Sequence, residues 1–592
     1  MQNRHKIYKE TEVTTELLSK LIDIWVKKTF GINFKFRPNQ KESCITTLYA
    51  WLTNNKTVIC SAPTGSGKSI LAIIIAGILT EYFNKTGYIL ISDLSLLSQY
   101  EADINKYGLT WSVLRGKQQY QCAVNGMPYV VGNCHLDGYN SYVDILANYP
   151  ECASFCEYIV QRNKAITSKV LVCTYAFWLI VRNTALLDDQ SPLYDTRDFT
   201  IADEAHNAIE IVQQQFSPSI KESDIIRYNT LIDFIQLTGK PNYELYDEFI
   251  DIRKKLEYQN NKSVIADYIE KYINNLNRIK ENIDFNILKK DDKHIQKKQK
   301  FLYLNAINWL IETISSFSAF KNIVVDLGTE YLVKSVNKTN ITFNCLNDSY
   351  LMKSKFLSKC NNILFMSATL GKPDNFAKSL SILDFQSIEI PSTFDYSKSP
   401  IFFTSDYRMS FTEKDTSLPY ILKMITKILL MYNDKRGIIQ TGSYELMEKI
   451  YNGLLPVFGE RLLIYTDSSD KQEQLDNYKF SNNLVLIGPT LIEGISLDDD
   501  LARFLIIAKV PYASLADNYT KEKIKFDKTW YNNYAAKNIL QGIGRGVRNA
   551  NDWCVSFILD GCFTNILRDS KSLFSTDFLK RIQIIPPGSL LN

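Results

Sequence analysis

Apolar runs that lead directly into polar clusters recur along the chain and predict buried strands followed by loops. Val58–Cys60, Phe199–Ala202 and Ile363–Phe365 are three such runs. A longer apolar run, Ile70–Leu79, predicts a buried helix, because a membrane-spanning helix needs roughly 18–20 apolar residues. This succession of strand, loop and helix predicts an α/β sheet.

A second set of apolar runs follows in the last third of the chain, where it alternates with polar or helical stretches. The predicted strands are Gly437–Gln440, Leu462–Tyr465, Leu484–Ile487 and Phe504–Ala508. Because strands that alternate with helices are typical of a parallel α/β sheet, these runs predict a second lobe.

The stretch between Phe199–Ala202 and Ile363–Phe365 is instead rich in helical periodicity. Apolar residues recur at helical spacing at Leu245, Phe249, Ile252 and Leu256, and again at Ile265, Ile269, Tyr272, Leu276 and Ile279. These stripes predict core packing between helices rather than a cofactor site. The lysine-rich run Lys289–Lys300 is interpreted as a solvated loop, with a phosphate-tracking patch as the alternative.

The composition adds limits rather than a function. With 592 residues, of which 45% are hydrophobic and 22% charged, the chain is long enough for several globular domains. A formal charge of +4 is too small to indicate a nucleic-acid partner, so any basic surface must be local. The 11 cysteines imply no disulfide scaffold and favour a reducing compartment. The N-terminus lacks the apolar core of a secretory signal.

The loop after Val58–Cys60 has the pattern of a phosphate-binding loop. It consists of Ala62, Pro63, Thr64, Gly65, Ser66, Gly67, Lys68 and Ser69. Glycines let successive backbone amides point at phosphate oxygens, and the following helix adds the positive end of its dipole. Lys68 would neutralise the β- and γ-phosphates and Ser69 would ligate Mg²⁺, so the loop predicts ATP binding.

Two carboxylates, Asp203 and Glu204, follow the predicted strand Phe199–Ala202. An isolated Asp-Glu pair is usually a solvated turn, but the strand before it and the phosphate loop upstream favour a catalytic pair. Asp203 would hold Mg²⁺, and Glu204 would orient and deprotonate the attacking water.

Two later segments are ambiguous in isolation. Ser367–Thr369, at the end of another predicted strand, is typical of a helix cap. Gln541, Arg545 and Arg548 belong to a segment whose two arginines would share one face of a helix. They would act either as arginine fingers on the phosphates or as part of a surface helix with salt bridges.

Taken in order, these segments resemble motifs I, II, III and VI of superfamily 2 helicases of the XPD/DinG type. Two further segments resemble nucleotide-binding or core motifs of this family: Phe36–Gln40, which ends in Gln40, resembles the nucleotide-base element, and Gly437–Tyr444 resembles motif IV. Leu484–Leu497, which contains Gly494, resembles motif V, and Lys509–Tyr512 resembles the stretch that follows motif V in the family. Asp560 fits the segment after motif VI. The chain departs from the family at Ser496, where an Asp is common.

The resemblance implies an α/β fold of two RecA-like motor domains with parallel sheets, an inserted iron–sulfur domain and a mainly helical Arch insertion. The expected boundaries are 1–114, 161–210 and 341–395 for motor domain 1, 115–160 for the iron–sulfur domain, 211–340 for the Arch-like insertion and 396–592 for motor domain 2. ATP would lie between the motor domains, with Lys68, Ser69, Asp203 and Glu204 on one side and Gln541, Arg545 and Arg548 on the other.

Four cysteines, Cys122, Cys134, Cys152 and Cys156, fall between motifs I and II. Their spacing alone leaves a metal site and a set of small buried side chains equally open. The flanking sequences resemble those of the family's iron–sulfur cysteines, which implies a 4Fe-4S cluster on the four thiolates, with Zn²⁺ as the alternative. His135, beside Cys134, is interpreted as a polar surface residue.

The resemblance further implies an ATP-dependent DNA helicase or translocase that moves 5′ to 3′ on single-stranded or forked DNA, in repair, replication or recombination. Two alternatives stay open: an ATP-gated nucleic-acid clamp that does not unwind, and an RNA-directed motor. Lys68, Glu204 and Arg548 argue against the clamp, which has no need of a base. We expect a monomer that does not act at a membrane and is not secreted. Its compartment would be the cytoplasm in a bacterium or phage host, and the nucleus or a viral factory for a eukaryotic virus.

Overall fold

The computed structural model describes residues 7–53, 57–63, 65–137, 139, 142–183, 196–237, 243–284, 297–391, 395–465, 471–489, 499–544 and 552–586. The strands are β1 Thr57–Ser61, β2 Gly87–Ile91, β3 Ser112–Val113, β4 Val170–Thr174, β5 Phe199–Asp203, β6 Ser219–Lys221, β7 Leu332–Val336, β8 Asn340–Cys345, β9 Asn362–Ser367, β10 Phe385–Glu389, β11 Ile401–Phe403, β12 Gly437–Gln440, β13 Leu462–Ile464, β14 Val485–Gly488, β15 Phe504–Ile507, β16 Val555–Ile558 and β17 Ile582–Ile584.

The α-helices up to the end of the helical insertion are α1 Thr15–Phe30, α2 Gln40–Thr53, α3 Lys68–Tyr82, α4 Leu94–Lys106, α5 Asn133–Leu136, α6 Tyr142–Asn148, α7 Cys152–Phe155, α8 Glu157–Thr167, α9 Tyr175–Asn183, α10 Ala208–Gln215, α11 Ser223–Gln236, α12 Tyr243–Tyr258, α13 Lys262–Asn282 and α14 Lys297–Leu327. Those that follow are α15 Asp348–Leu351, α16 Pro373–Ser379, α17 Lys414–Met431, α18 Tyr444–Phe458, α19 Lys471–Phe480, α20 Asn518–Phe526, α21 Trp530–Ile543, α22 Phe563–Asp569 and α23 Thr576–Lys580.

The first lobe is a parallel sheet of seven strands in the order β10-β1-β9-β5-β2-β4-β3. β9 lies between β1 and β5, and its register sets Ser61 beside Ser367 and Asp203 beside Met366. The amide of Ala62 also donates to the carbonyl of Ser367, at 3.0 Å. The carboxyl ends of β1, β9 and β5, which carry motifs I, III and II respectively, are therefore neighbours.

Burial explains why these segments form strands and a central helix. β2 and β5 are buried along their whole length, as strands covered on both faces must be. Helix α3 is buried from Leu71 to Thr80, which confirms the predicted buried helix. Gly87 opens β2 because a Cβ there would lie 2.1 Å from the Phe199 ring.

The second lobe is another parallel seven-stranded sheet, in the order β13-β14-β12-β15-β16-β11-β17. The four strands predicted from the sequence are present to within one residue at each end. Two parallel α/β sheets thus confirm the predicted fold class. The lobes touch where Asn375 Nδ2 donates to the carbonyl of Ser572 at 3.1 Å.

The insertion of lobe 1 contains helices α11 to α14, and every apolar position predicted to pack between its helices is buried. Its base is an antiparallel sheet in the order β6-β8-β7, which the sequence did not predict. The solvated-loop interpretation of Lys289–Lys300 is wrong for 297–300, which begin α14, and the rest of that run lies outside the described residues. No helix in the described ranges is long and apolar enough to cross a membrane.

Candidate active site

The phosphate loop joins β1 to α3 and is shaped by its two glycines. Gly65 and Gly67 have φ angles of 79° and 84°, in the left-handed region that other residues avoid. The Ser66 hydroxyl is buried and has no hydrogen-bond partner among the described residues, which leaves it free to donate to a ligand oxygen. Thr64 lies outside the described residues.

Gln40 supports this loop from the start of α2. Its Nε2 donates to the carbonyl of Gly67 at 3.0 Å, and its Oε1 accepts from the Arg37 amide at 3.1 Å. A Cβ on Gly67 would lie 2.5 Å from Gln40 Nε2, so glycine is required for this close approach. Gln40 therefore fixes the conformation of the phosphate loop.

The predicted lysine and base meet at the carboxyl edge of the sheet, although β9 lies between the strands that precede them. Lys68 Nζ lies 3.6 Å from Glu204 Oε1. Glu204 has a left-handed backbone with φ of 47°, and its amide donates to Asp203 Oδ1 at 2.8 Å. Strained backbone of this kind clusters at functional sites, and here it aims Glu204 at the phosphate loop.

Motif III completes the surroundings of Glu204. Ser367 Oγ donates to Glu204 Oε2 at 3.1 Å, and His206 Nδ1 lies 2.6 Å from the same hydroxyl. Ser367 Oγ also accepts from the amide of Thr369 at 3.1 Å. Because the next α-helix begins only at Pro373, the helix-cap interpretation of Ser367–Thr369 is wrong.

Two buried tyrosines that the sequence did not single out hold Asp203. The Tyr100 hydroxyl donates to Asp203 Oδ2 at 2.8 Å and lies near Ser69, whose side chain partly offsets the rise in the pKa of Tyr100 that burial causes. The Tyr175 hydroxyl donates to the Asp203 carbonyl at 2.9 Å. Tyr100 therefore orients one predicted Mg²⁺ ligand, Asp203, and lies near the other, Ser69, although its place among the apolar residues of α4 predicts only packing.

The surroundings of the two carboxylates shift their pKa values in opposite directions. Burial, followed by the charge of Glu204, raises the pKa of Asp203. Burial would also raise the pKa of Glu204, but Lys68, His206 and Ser367 together lower it below its usual value. Glu204 is thus ionised, as a residue that orients water must be.

The donor set fits Mg²⁺. Ser69 supplies a hydroxyl and Asp203 a carboxylate, the hard oxygen ligands that Mg²⁺ takes alongside water and phosphate. Asp203 is 2% exposed and its pKa is raised, so a cation would offset the cost of its buried charge.

The residues predicted on the opposite side of the ATP are described only in part. Gln541 lies in the last turn of α21 and is half-buried. Arg545, Arg548 and Gly494 lie outside the described residues, as does Ser496. Their approach to the phosphates stays a prediction.

The four cysteines lie in short elements next to one another. Cys134 is in α5, Cys152 begins α7, Cys156 directly precedes α8, and Cys122 follows the residue that pairs with Pro128. Burial and the other thiols raise the pKa of Cys134 to about 12 and that of Cys152 to about 11. Four thiols that perturb one another in this way are close in space, and all are free of disulfides.

Four thiols are a donor set that suits either an iron–sulfur cluster or Zn²⁺. Within the described ranges, however, no three or more His, Cys, Asp or Glu side chains are arranged to hold a metal ion. The chemistry of the donors thus fits a metal centre, and ligation itself stays a prediction.

The surface interpretation of His135 is wrong. His135 is 7% exposed and packs edge-on against Tyr129, with ring centroids 4.9 Å apart, because α5 turns its side chain toward the neighbouring aromatic rings.

Comparison with known proteins agrees with this geometry. Residues 33–243 match the family described as type III restriction enzyme, res subunit, and residues 427–578 match the helicase C-terminal domain. The chain is 25% identical over 571 residues to the ATP-dependent DNA helicase XPD of Sulfolobus acidocaldarius, which covers 87% of this chain and 94% of that protein. It is 21% identical over 516 residues to the ATP-dependent DNA helicase CHL1 of Vanderwaltozyma polyspora, covering 75% of this chain and 60% of that one.

Solved structures share the fold. An XPD helicase structure superposes with a TM-score of 0.62 at 17% identity, over 93% of this chain and all of that one (100%). The S. tokodaii protein Xpd4 gives 0.58 at 14% identity, over 92% of this chain and 99% of that one. Motifs I, II and III meet at one edge of the first parallel sheet. Together with the two matched domains and the near full-length similarity to XPD, this arrangement supports a superfamily 2 helicase of the XPD/DinG type.

Proposed function

We propose that the protein is an ATP-dependent DNA helicase that hydrolyses ATP between its two lobes and so moves along single-stranded DNA. The observation that carries this proposal is the Glu204 carboxylate, held by Ser367 and His206 at 3.6 Å from Lys68. A half-buried ionised carboxylate beside the lysine of a phosphate loop costs desolvation free energy, which catalysis explains and folding does not. The named activities of the XPD and CHL1 relatives support DNA as the substrate.

Each of the site residues described above in lobe 1 has a role in this reaction. The phosphate loop and Lys68 bind the β- and γ-phosphates, and Glu204 orients the attacking water and accepts its proton. Ser367 and His206 hold Glu204 in place, and Gln40 keeps the loop in its binding conformation. Mg²⁺, held by Ser69 and Asp203, would neutralise charge on the phosphates when bound.

Lobe 2 would supply the remaining charges. Helix α21 ends two residues before Arg545, so Arg545 and Arg548 follow directly from the turn that carries Gln541. We assign them to the γ-phosphate, where guanidinium groups stabilise the charge of the transition state. ATP would then draw the lobes together, and hydrolysis would release them.

A direct test combines ATP hydrolysis with strand displacement. The protein should hydrolyse ATP faster with single-stranded DNA present and should unwind DNA with a 5′ overhang better than DNA with a 3′ overhang. Glu204→Gln should abolish both activities while keeping ATP binding, whereas Glu270→Gln, at an exposed position of the insertion, should change neither. Hydrolysis without displacement would favour the clamp, displacement of RNA only would favour the RNA motor, and full activity of Glu204→Gln would remove the proposed base.

We further propose that Cys122, Cys134, Cys152 and Cys156 hold a 4Fe-4S cluster. The neighbouring free thiols support a metal centre of either kind, and the similarity to XPD supports a cluster over Zn²⁺. Protein purified without oxygen should contain about four iron and four sulfide per chain and absorb visible light. One zinc per chain in a colourless protein would establish the alternative, and a metal-free active protein would exclude both.

A further inference from the structure

A helix of lobe 2 is attached to the base of the helical insertion. Ser335 Oγ in β7 donates to Oδ1 of Asp517, the residue that caps α20, at 2.7 Å. Asn518 Nδ2 donates to the carbonyl of Lys334 at 2.7 Å, and the Tyr519 amide donates to Ser335 Oγ at 3.1 Å. We call this set of bonds the α20 contact. It joins lobe 2 to a part of the chain that belongs to neither motor sheet.

A buried ion pair extends the α20 contact. Lys523 Nζ lies 2.9 Å from Asp348 Oδ2 and also donates to the carbonyl of Leu346, and the Lys523 side chain is 3% exposed. Asp348 begins α15, on the path from β8 of the insertion to β9 of lobe 1. Removing one partner of such a pair leaves a buried charge uncompensated, so Lys523 holds lobe 2 firmly to this point.

The same region touches the helices that follow motif II and lead to motif VI. Gln213, near the end of α10 after the Asp203–His206 segment, hydrogen bonds the Tyr519 hydroxyl. Lys537 lies on α21, one turn before Gln541. Burial lowers the pKa of Lys537, and the nearby charges of Asp348 and Glu210 oppose that shift. A second lysine of lobe 2 therefore lies near Asp348.

One oxygen of Asp348 is left unbonded. Oδ1 is buried and accepts no hydrogen bond from the part of the chain that the structure describes. Buried carboxylate oxygens without a donor are costly and rare in native proteins, so a partner in another arrangement of the lobes is expected. Lys537 is the cation suited to this, because α21 moves with lobe 2.

We propose that Asp348, Lys523 and Lys537 link lobe 2 mechanically to the helical insertion. Lys523 stays on Asp348 Oδ2 as a pivot, and Lys537 binds Oδ1 when lobe 2 closes on lobe 1. The insertion then moves in step with the nucleotide cycle, and the three are positioning residues rather than catalytic ones. This inference rests on the proposed function, since closure driven by ATP is the movement that the link transmits.

The test compares Lys537→Met, Lys523→Met and Asp348→Asn with Lys321→Met, which breaks the exposed Lys321–Glu270 pair of the insertion at 2.6 Å. Fluorescent labels at Tyr258 in the insertion and Phe480 in lobe 2, which are 77% and 91% exposed, report their separation with and without a non-hydrolysable ATP analogue. ATP consumed per base pair unwound is the second readout.

Lys537→Met should keep the basal ATPase rate but lose the change in distance between the two labels that the ATP analogue causes. It should also consume about threefold more ATP per base pair unwound, an effect of the size expected when the coupling between two contacting residues is lost. Asp348→Asn and Lys523→Met should broaden the separation in both states, and combining them should add little to either alone. Lys321→Met should behave like the unmodified protein. An unaltered change in separation in Lys537→Met, or a parallel loss of ATPase and unwinding at a constant ratio, would overturn the link.

Failure of the proposed helicase function can be distinguished from failure of this link. If the protein is not an ATP-driven motor, the unmodified protein will hydrolyse no ATP, but hydrogen exchange of the β7 amides will still test whether Lys523 acts as a pivot. Faster exchange in Lys523→Met than in Lys321→Met would support it, and equal exchange would exclude it.

Discussion

His206 Nδ1 lies 2.6 Å from Ser367 Oγ, although 161 positions separate the two residues in the chain. The contact forms because β5 and β9 are adjacent and parallel, so that the loops after both strands leave the sheet at the same edge. The Ser367 hydroxyl then donates to Glu204 Oε2 at 3.1 Å. Motif III therefore contacts the proposed base of motif II through the Ser367 hydroxyl.

Ser367→Ala should lower the rate of ATP hydrolysis while leaving ATP affinity nearly unchanged. The substitution removes one hydrogen bond to a charged group, worth about 1.5–3 kcal/mol, so kcat should fall about tenfold or more. KM for ATP should stay within about twofold, since Ser367 makes no predicted phosphate contact. Steady-state kinetics would check this, with Ser358→Ala as the control, because Ser358 is exposed and its hydroxyl donates to the Ser354 carbonyl. A raised KM at constant kcat would contradict it.

Tyr100→Phe should weaken the use of Mg²⁺. The hydroxyl holds Asp203 and lies near Ser69, and loss of a group that orients metal ligands typically costs about 10–100-fold in metal affinity. The Mg²⁺ concentration for half-maximal ATPase should rise by about tenfold or more.

Tyr228→Phe is the matched control for Tyr100→Phe. Tyr228 is equally buried, in the insertion, and its hydroxyl lies 2.9 Å from the Leu245 carbonyl and 2.6 Å from Asn275 Oδ1. Both variants should lose about 1–2 kcal/mol of unfolding free energy, but only Tyr100→Phe should change the Mg²⁺ titration. Equal Mg²⁺ dependence in the two would mean that Tyr100 serves folding alone.

The sequence indicates the roles of residues whose immediate neighbours along the chain form a recognisable motif. Lys68 and Ser69 follow a glycine-rich loop, and Asp203 and Glu204 follow an apolar strand, so spacing alone indicated their roles. Tyr100 could not be found in this way. It shares a helical stripe with Leu97 and Ile104, which predicts packing, and its partner Asp203 is 103 residues away.

The antiparallel sheet of the insertion cannot be predicted from the sequence for a related reason. β6 has only three residues, and Ile220 pairs with Ile341 across the whole helical insertion. Such short strands carry little periodicity, and their pairing depends on how the helices between them pack. The burial of His135 cannot be predicted in this way either, because a single histidine has no period and its burial depends on the neighbouring Tyr129 ring.

Gly67→Ala should weaken ATP binding by distorting the phosphate loop, since the substitution removes no group that contacts the nucleotide. A Cβ there would meet Gln40 Nε2 at 2.5 Å, and the residue would also have to keep a φ of 84°. Displacing Gln40 releases the loop, and we expect the Kd for ATP to rise more than about tenfold, the effect of roughly 1.4 kcal/mol. Titration with a fluorescent ATP analogue would measure it.

Gly108→Ala is a control that separates the effect of a positive φ from the effect of a steric clash. Gly108 has a φ of 63°, but nothing lies within 4 Å of its Cβ position. The variant therefore carries backbone strain of about 1 kcal/mol without a clash, and ATP affinity should be unchanged. If both alanine variants bound ATP normally, Gln40 would not hold the phosphate loop.

Cys156→Ser should separate ATP hydrolysis from strand separation. Cys156 directly precedes α8 and is one of four neighbouring thiols that lie outside the sheet of lobe 1, whereas Lys68 and Glu204 lie at the edge of that sheet. Loss of a metal centre should loosen this small region, because metal binding to thiolates contributes to the folding of such segments, and should leave nucleotide binding intact. Unwinding should fall at least about tenfold while ATPase without DNA stays within about twofold. Cys360→Ser, at a half-buried thiol just before β9 of lobe 1, should keep both activities and the full metal content. Full unwinding by a Cys156→Ser protein that contains neither iron nor zinc would show that the four cysteines do not support the motor through a metal.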